Sequence, residues 1–182
     1  MTTSIILLLG HLLGDFPLQT NKIFKLKTQS NLGLAIHVTI HLLITAVLIQ
    51  QPWRYWPVLL ILGIAHFITD WIKLNFPGKN QAAGFVWDQL IHYVTILLIG
   101  AWGPALPAVL PLWIMIPAIG LAFIPAIMTF FWVWANQRQQ ADRENQLTYV
   151  TWASQSLLPL SQCIGQLIMA AIFIAGGTLI FL

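Results

Sequence analysis

Six apolar stretches, each close to the length of a bilayer crossing, divide this chain. They cover roughly residues 3–19, 32–50, 57–75, 84–102, 112–135 and 157–181. A spanning helix needs about 20 mostly apolar residues. Inside hydrocarbon only helices and closed barrels satisfy their own backbone polar groups. The pattern predicts an all-α polytopic membrane bundle of about six transmembrane helices. Composition agrees: 58% of the 182 residues are hydrophobic and 7% are charged, against about 25% charged in a soluble domain. The N-terminal MTTSIILLLG has no basic n-region, and no small-residue cleavage site follows it. The first stretch is therefore read as a retained helix.

The connections read NKIFKLKTQSN, QQPWRYW, FPGKNQAA, GPALPAVLP and NQRQQADRENQ. No repeat or soluble domain is visible, so residues 1–182 form one integral membrane domain. Within it, 3–102 is a bundle carrying polar groups and 112–182 supplies accessory helices. Pro159 interrupts the last apolar stretch, which predicts a short interfacial helix over 146–157 before the final span. Gln155, Gln162 and Gln166 then share a face that points into the bundle.

Lysine and arginine set the orientation. Lys22, Lys25, Lys27, Lys73, Lys79, Arg138 and Arg143 belong to odd-numbered connections or the adjoining helix end, whereas Arg54 alone serves the even-numbered ones. Odd loops are expected in the cytoplasm and both termini outside. Trp71, Trp87, Trp132 and Trp134 fall near inner helix ends, and Trp53, Trp56 and Trp102 near outer ones, as interfacial belts require. The basic residues are scattered in loops, which points to a membrane surface rather than nucleic acid. Lys22, Lys25 and Lys27 are read as topology signals and contacts to anionic lipid. Asp142, Arg143 and Glu144 read as a solvated loop. The lone Cys163 excludes an internal disulfide and a cysteine zinc cage, and is expected to be a small buried apolar residue.

Into this apolar background four polar pairs are set at one spacing: His11 and Asp15, His37 and His41, His66 and Asp70, Asp88 and His92. They use all five histidines and three of the five carboxylates. Five His and four Asp in this length would give roughly 0.4 pairs at the helical i,i+4 spacing by chance. Residues four apart lie on one helix face, a turn apart. Helices 1 and 3 run outside to inside and read His then Asp, whereas helix 4 runs back and reads Asp then His. Every Asp thus falls on the cytoplasmic side of its His. With a 1.5 Å rise per residue, Asp15, His37, Asp70 and Asp88 come out ~6–8 Å from the inner boundary, and His11, His41, His66 and His92 ~12–14 Å from it. Two stacked polar layers are expected.

An unpaired charge in a membrane costs several kcal/mol, so such groups mark function. Imidazole and carboxylate are ligands for zinc, iron and manganese. Helical bundles build metal sites from pairs at this spacing. Three carboxylates close together repel unless a cation lies between them. The eight residues are therefore candidate ligands for one or two divalent ions, zinc first, with iron or manganese as alternatives. Two ions would suit phosphoester hydrolysis. One of Asp15, Asp70 or Asp88 is then the candidate general base. A buried His–Asp network that only ties helices together, or a metal-free proton relay, is the plainer alternative. Lys73, one turn past Asp70, is read first as snorkelling to the interface, with charge balance at the site as the alternative. Gln19 and Gln89 stand beside Asp15 and Asp88 as hydrogen-bonding neighbours or as solvated helix-end groups. Pro17 predicts that helix 1 bends or stops just past Asp15.

On HLLGDFPLQ, the His37/His41 pair, HFITDWIK and DQLIH, the chain resembles a family of small bacterial and phage integral membrane proteins of unknown function. The likeness covers roughly residues 5–95. That family is in turn loosely similar to membrane-bound metal-dependent hydrolases carrying His-x-x-x-Asp pairs. The resemblance implies metal binding and a bacterial inner membrane. The resulting expectation is a membrane-embedded metal-dependent hydrolase working near the cytoplasmic leaflet on a lipid phosphoester, with membrane lipids as its surroundings. A divalent-metal transporter or channel is the rival, against which stand the missing inverted repeat and the missing outer polar layer. A structural metal-binding subunit is the third reading. The sequence leaves oligomeric state open.

Overall fold

The computed structural model describes residues 2–141 and 147–180. Asp142, Arg143 and Glu144, read above as a solvated loop, lie outside the described residues. The architecture is all-α: α1 (Thr2–Asp15), α2 (Asn21–Gln29), α3 (Asn31–Val47), α4 (Trp56–Asn75), α5 (Gln81–Trp102), α6 (Leu112–Ala141) and α7 (Thr148–Ile180), with a short 3-10 turn at Pro52–Tyr55. Four segments are long and apolar enough to cross a membrane: Pro52–Asn75, Gln81–Trp102, Leu112–Ala141 and Thr148–Gly177. α1 and α3 are shorter apolar helices.

The first stretch ends sooner than 3–19 would allow. Pro17 cannot donate to a preceding carbonyl, and α1 stops at Asp15 in a tight turn in which Leu18 N donates to Leu13 O at 3.2 Å. At 14 residues α1 is about 21 Å long, short of the ~30 Å hydrocarbon core. The connection NKIFKLKTQSN, expected to be a loop, is instead the helix α2. Thr20 caps it by accepting from Ile23 N, and Ser30, in extended backbone, ends α2 and caps α3 by accepting from Gly33 N at 3.0 Å. Such hydroxyl caps satisfy otherwise orphaned first-turn amides.

The last stretch differs too. Pro159 lies inside one continuous α7 that starts at Thr148, so no separate interfacial helix precedes the span. Within spanning helices a proline is tolerated when neighbouring groups take over the freed backbone, and α6 likewise contains Pro117 and Pro125. The buried stripe of α7 runs through Val150, Ala153, Ser161, Gly165, Ile168 and Ile172. Gln162 sits at its edge, whereas Gln155 and Gln166 fall outside it and are exposed, as is Cys163. Both readings that placed them inside are corrected by this angular offset.

α1, α3, α4 and α5 close into an antiparallel ring. α1 packs on α3 and α5, and α4 joins α3 to α5. Glycines set the closest approaches. A Cβ at Gly10 would collide with Thr45, one at Gly100 with Ser4, and one at Gly14 would lie 2.6 Å from the His41 ring. Small residues that let backbones approach are the usual means of packing helices in lipid. α6 lies against α1 and α5, and α7 packs chiefly on α6, where Ser161 Oγ donates to Pro125 O at 2.9 Å.

The two ends of the ring are unlike. At one end the segment after α5 folds back across it. Gln50 N donates to Pro107 O and Val109 N to Leu48 O, both at 2.9 Å. Leu106 and Leu110 are thereby buried against Ile6, Leu7, Leu48 and Ile49. The other end carries α2, the polar groups and the lysines.

Candidate metal centre

Each ring helix turns its polar pair inward, because i,i+4 side chains share a face and the remaining faces of these helices are apolar. All eight expected residues come together, and all are buried: His11, Asp15, His37, His41, His66, Asp70, Asp88 and His92. The expected layering is visible in the contacts. In the deeper layer the ring centroids of His41 and His66 are 4.1 Å apart, those of His66 and His92 4.2 Å, and those of His11 and His92 4.8 Å. Nearer the mouth, the carboxylates act as hubs. Asp15 Oδ1 lies 3.1 Å from His41 Nε2 and 3.2 Å from His37 Nε2, and its Oδ2 accepts from Gln89 Nε2 at 3.1 Å. Asp70 is approached by three histidines from three helices, with His66, His37 and His92 at 3.4, 3.5 and 3.6 Å.

Sequence reasoning missed the role of Lys27. It is buried at 8% exposure, the one inward residue of α2. Its Nζ lies 2.8 Å from Asp70 Oδ2, 3.1 Å from His37 Nε2 and 3.3 Å from Gln19 Oε1. Lys22 and Lys25 on the same helix are exposed, as their reading as surface signals requires. Burial alone would lower the Lys27 ammonium, but the Asp70 and Asp15 carboxylates outweigh it and hold the group above the ordinary lysine range. The signal was available: Lys27 follows Ile23 by four residues, on the face that α2 turns inward. Gly33 then fixes the helix, since a Cβ there would collide with the Leu26 carbonyl.

Lys73 does more than snorkel. Its Nζ donates to Asp88 Oδ2 at 2.6 Å while the side chain stays 36% exposed. Gln89 is buried, and it bridges by donating to Asp15 while its Oε1 lies 3.2 Å from His11 Nε2. Gln19 accepts from Lys27, and its carbonyl accepts from Gln162 Nε2 at 3.3 Å.

Five site atoms nevertheless lack a hydrogen-bond partner: His37 Nδ1, His66 Nε2, His92 Nε2, Asp88 Oδ1 and Asp70 Oδ2, the last meeting Lys27 as an ion pair only. Buried polar atoms are ordinarily satisfied, and an orphan calls for an explanation such as an ion. In three sets the candidate ligand atoms lie within 4.8 Å of one another: Asp15, His37, His41 and His66; His11, His66 and His92; and Asp70, Asp88 and His92. Zinc holds such atoms at ~2.0–2.2 Å, which places the ligand atoms of a tetrahedral ion ~3.3–3.6 Å apart. The contacts of Asp15 Oδ1 to His41 and His37, at 3.1 and 3.2 Å, are close to that spacing, and the widest separations close by about 1.2–1.5 Å. The residues present therefore fit a divalent ion.

A cavity of about 560 Å³ opens beside the centre. Asp15, Asp88, Gln89, Lys27 and Lys73 line it on the polar side, with Phe24, Phe85, Trp87 and Trp132 among its apolar walls. Asp70 does not reach it. A second, apolar groove of about 300 Å³ between α5 and α6 shares Phe16, Phe85 and Gln89 with it. Beyond the histidines lies a void of about 10 Å³, bounded by Val38, Leu42, Leu62 and Ile96.

A family described as a protein of unknown function (DUF3307) matches residues 4–116. That range contains all but the first two residues of the ring, together with α2 and all eight candidate ligands. No curated protein and no solved structure matches the chain.

Proposed function

The chain belongs to the DUF3307 family, whose description assigns no activity, and from the geometry we propose that it is a membrane-embedded metal-dependent hydrolase. Its ligands come from His11, Asp15, His37, His41, His66, Asp70, Asp88 and His92, and its substrate is a lipid phosphoester. In this reading α1 and α3 complete a six-span bundle in a bacterial inner membrane, with α2 and the lysines at the cytoplasmic face. One observation carries the proposal: buried ligand atoms without hydrogen-bond partners lie beside a cavity of about 560 Å³ that meets the centre at Asp15, Asp88 and Gln89. A transport path needs an exit, and the far end is filled by Leu106 and Leu110. The apolar groove that joins the cavity suits the chains of a lipid.

Zinc, bound there, would polarise a phosphoryl oxygen and sharpen the acidity of water. The protein's own residues divide the remaining work. Asp70, enclosed by histidines and Lys27, is a structural anchor. Asp88 lines the cavity, its Oδ2 is held by Lys73 and Gln89, and its Oδ1 makes no hydrogen bond, with His92 Nε2 3.7 Å away, so Asp88 is the carboxylate placed to take the proton of an attacking water. Gln89 orients Asp15 and His11 by spanning them. The aromatic walls keep bulk water from the ester.

Elemental analysis of the detergent-purified protein should find zinc or another divalent ion in wild type and none in the Asp15→Ala, His41→Ala double variant. Asp88→Asn should keep its ion yet lose phosphate release from phosphatidic acid in mixed micelles, by about 10²–10⁴-fold if Asp88 is the base. A wild-type protein that holds no metal sinks the proposal.

A further inference from the structure

The three ligand sets are not equivalent: Lys27 touches His37 of the Asp15 set at 3.1 Å, but the lysines pair with carboxylates only in the Asp70–Asp88–His92 set. Lys27 Nζ lies 2.8 Å from Asp70 and Lys73 Nζ 2.6 Å from Asp88. Both carboxylates of the Asp70–Asp88–His92 set thus already have a cation. The Asp15–His37–His41–His66 set has no lysine on its carboxylate, and Asp15 is met by imidazoles and the Gln89 amide alone. Its donors are three imidazoles and one carboxylate, a composition that suits tetrahedral zinc. Charge points the same way. Three carboxylates and two ammonium groups, with imidazoles as neutral ligands, leave one net negative charge. One divalent ion turns this to a single positive charge, which suits an anionic phosphoester, whereas a second ion would leave a large uncompensated surplus in a buried site.

Resting on the metal reading above, we infer that the centre holds one divalent ion, among Asp15, His37, His41 and His66, and that Lys27 and Lys73 take the place of a second ion at the Asp70–Asp88 end. In two-metal phosphoesterases the pair of ions clamps the attacking and leaving oxygens. Here one half of that clamp is an ammonium pair. Positioned lysines are an accepted way of stabilising a transferring phosphoryl group. Both lysines line the 560 Å³ cavity, so the same groups that neutralise Asp70 and Asp88 face an incoming phosphate. Lys27 is delivered by α2, whose position is set by the contact between Gly33 and the Leu26 carbonyl.

The test is a Co²⁺ titration of metal-stripped protein with the bound ion counted after gel filtration. Wild type and Lys25→Met, which changes an exposed residue of the same helix, should saturate at one ion per chain. Lys27→Met with Lys73→Met frees both carboxylates and should take up a second. Two ions in wild type, or one in the double variant, overturns the inference while leaving the metal reading intact; none in any form removes both. A measurement on wild type alone covers the case of a variant that does not fold. A buried amine reacts only through local opening, so acylation of Lys27 should run at least about tenfold slower than that of Lys25. That protection should persist when one equivalent of Co²⁺ is bound. If loading exposes Lys27, the ion has displaced the ammonium, and the lysine is a competitor of the metal instead of its companion.

Discussion

The two ends of the four-helix ring are built from the same helices on opposite principles. Toward α2, each helix contributes ionisable groups that meet at 3–4 Å distances and leave several atoms unsatisfied. Toward the Pro104–Pro111 segment, the same helices contribute Ile6, Leu7, Leu62 and Ile96, closed over by Leu106 and Leu110. One end concentrates ionisable groups, and the other is closed by apolar side chains. The apolar end fixes helix spacing through contacts that do not depend on ions, and the polar end uses that spacing to hold groups that would otherwise separate. Few-ångström geometry in a site requires such a rigid support.

The comparison breaks most visibly at Asp70. Asp70→Ala leaves the Lys27 ammonium buried without its carboxylate, with only the neutral Gln19 and His37 beside it, at a cost of about 3–5 kcal/mol, read by thermal unfolding in detergent. Adding Lys27→Met should recover most of that loss, and a double variant no more stable than Asp70→Ala would show that the pair is not coupled. Gly14→Ala pushes a methyl group against the His41 ring at the junction of the two ends. It should cost about 1–3 kcal/mol by overpacking and weaken metal retention in dialysis, where a change confined to stability would separate the two ends more completely than described here. Ile96→Val, in the apolar end, should cost about 0.5–1.5 kcal/mol with metal content unchanged by elemental analysis. Loss of the ion in that variant would merge the two ends into one. Smallest is Lys73→Met: its pair with Asp88 is partly exposed, and such pairs contribute only ~0–1 kcal/mol, so the melting temperature should barely move.

Much of this was legible in the sequence because it depends on periodicity. The i,i+4 pairs and their reversal in helix 4 place all eight residues in one centre whatever the helix boundaries. The reach of Pro17 was legible too, as a stop after Asp15. What escaped was set by angle and by short local signals. α2 is nine residues long and too polar to register as an apolar stretch, and its caps, Thr20 and Ser30, were hidden among connection residues. Lys27 was grouped with Lys22 and Lys25 by its charge, although its position on the helix differs from theirs. Cys163, Gln155 and Gln166 were placed inside by composition and spacing, while they lie about a third to half a turn from the true stripe of α7. Pro159 was read as a break because helices in water break there, and a helix enclosed by apolar surroundings has less to gain from opening.

α7 offers none of the eight candidate ligands, and the family match ends at residue 116, inside α6. Yet Gln162 donates to Gln19 O and to Asn21 Oδ1, and a Cβ at Gly165 would lie 2.9 Å from Pro17 Cα. These contacts grip the short linker between α1 and α2 from behind. The linker fixes where the lysine-bearing helix begins, and the last helix of the chain is the wall it rests against. The placement of α2 beside Asp70 therefore rests on contacts made about 140 residues further along the chain, by a helix that supplies none of the eight buried His and Asp residues.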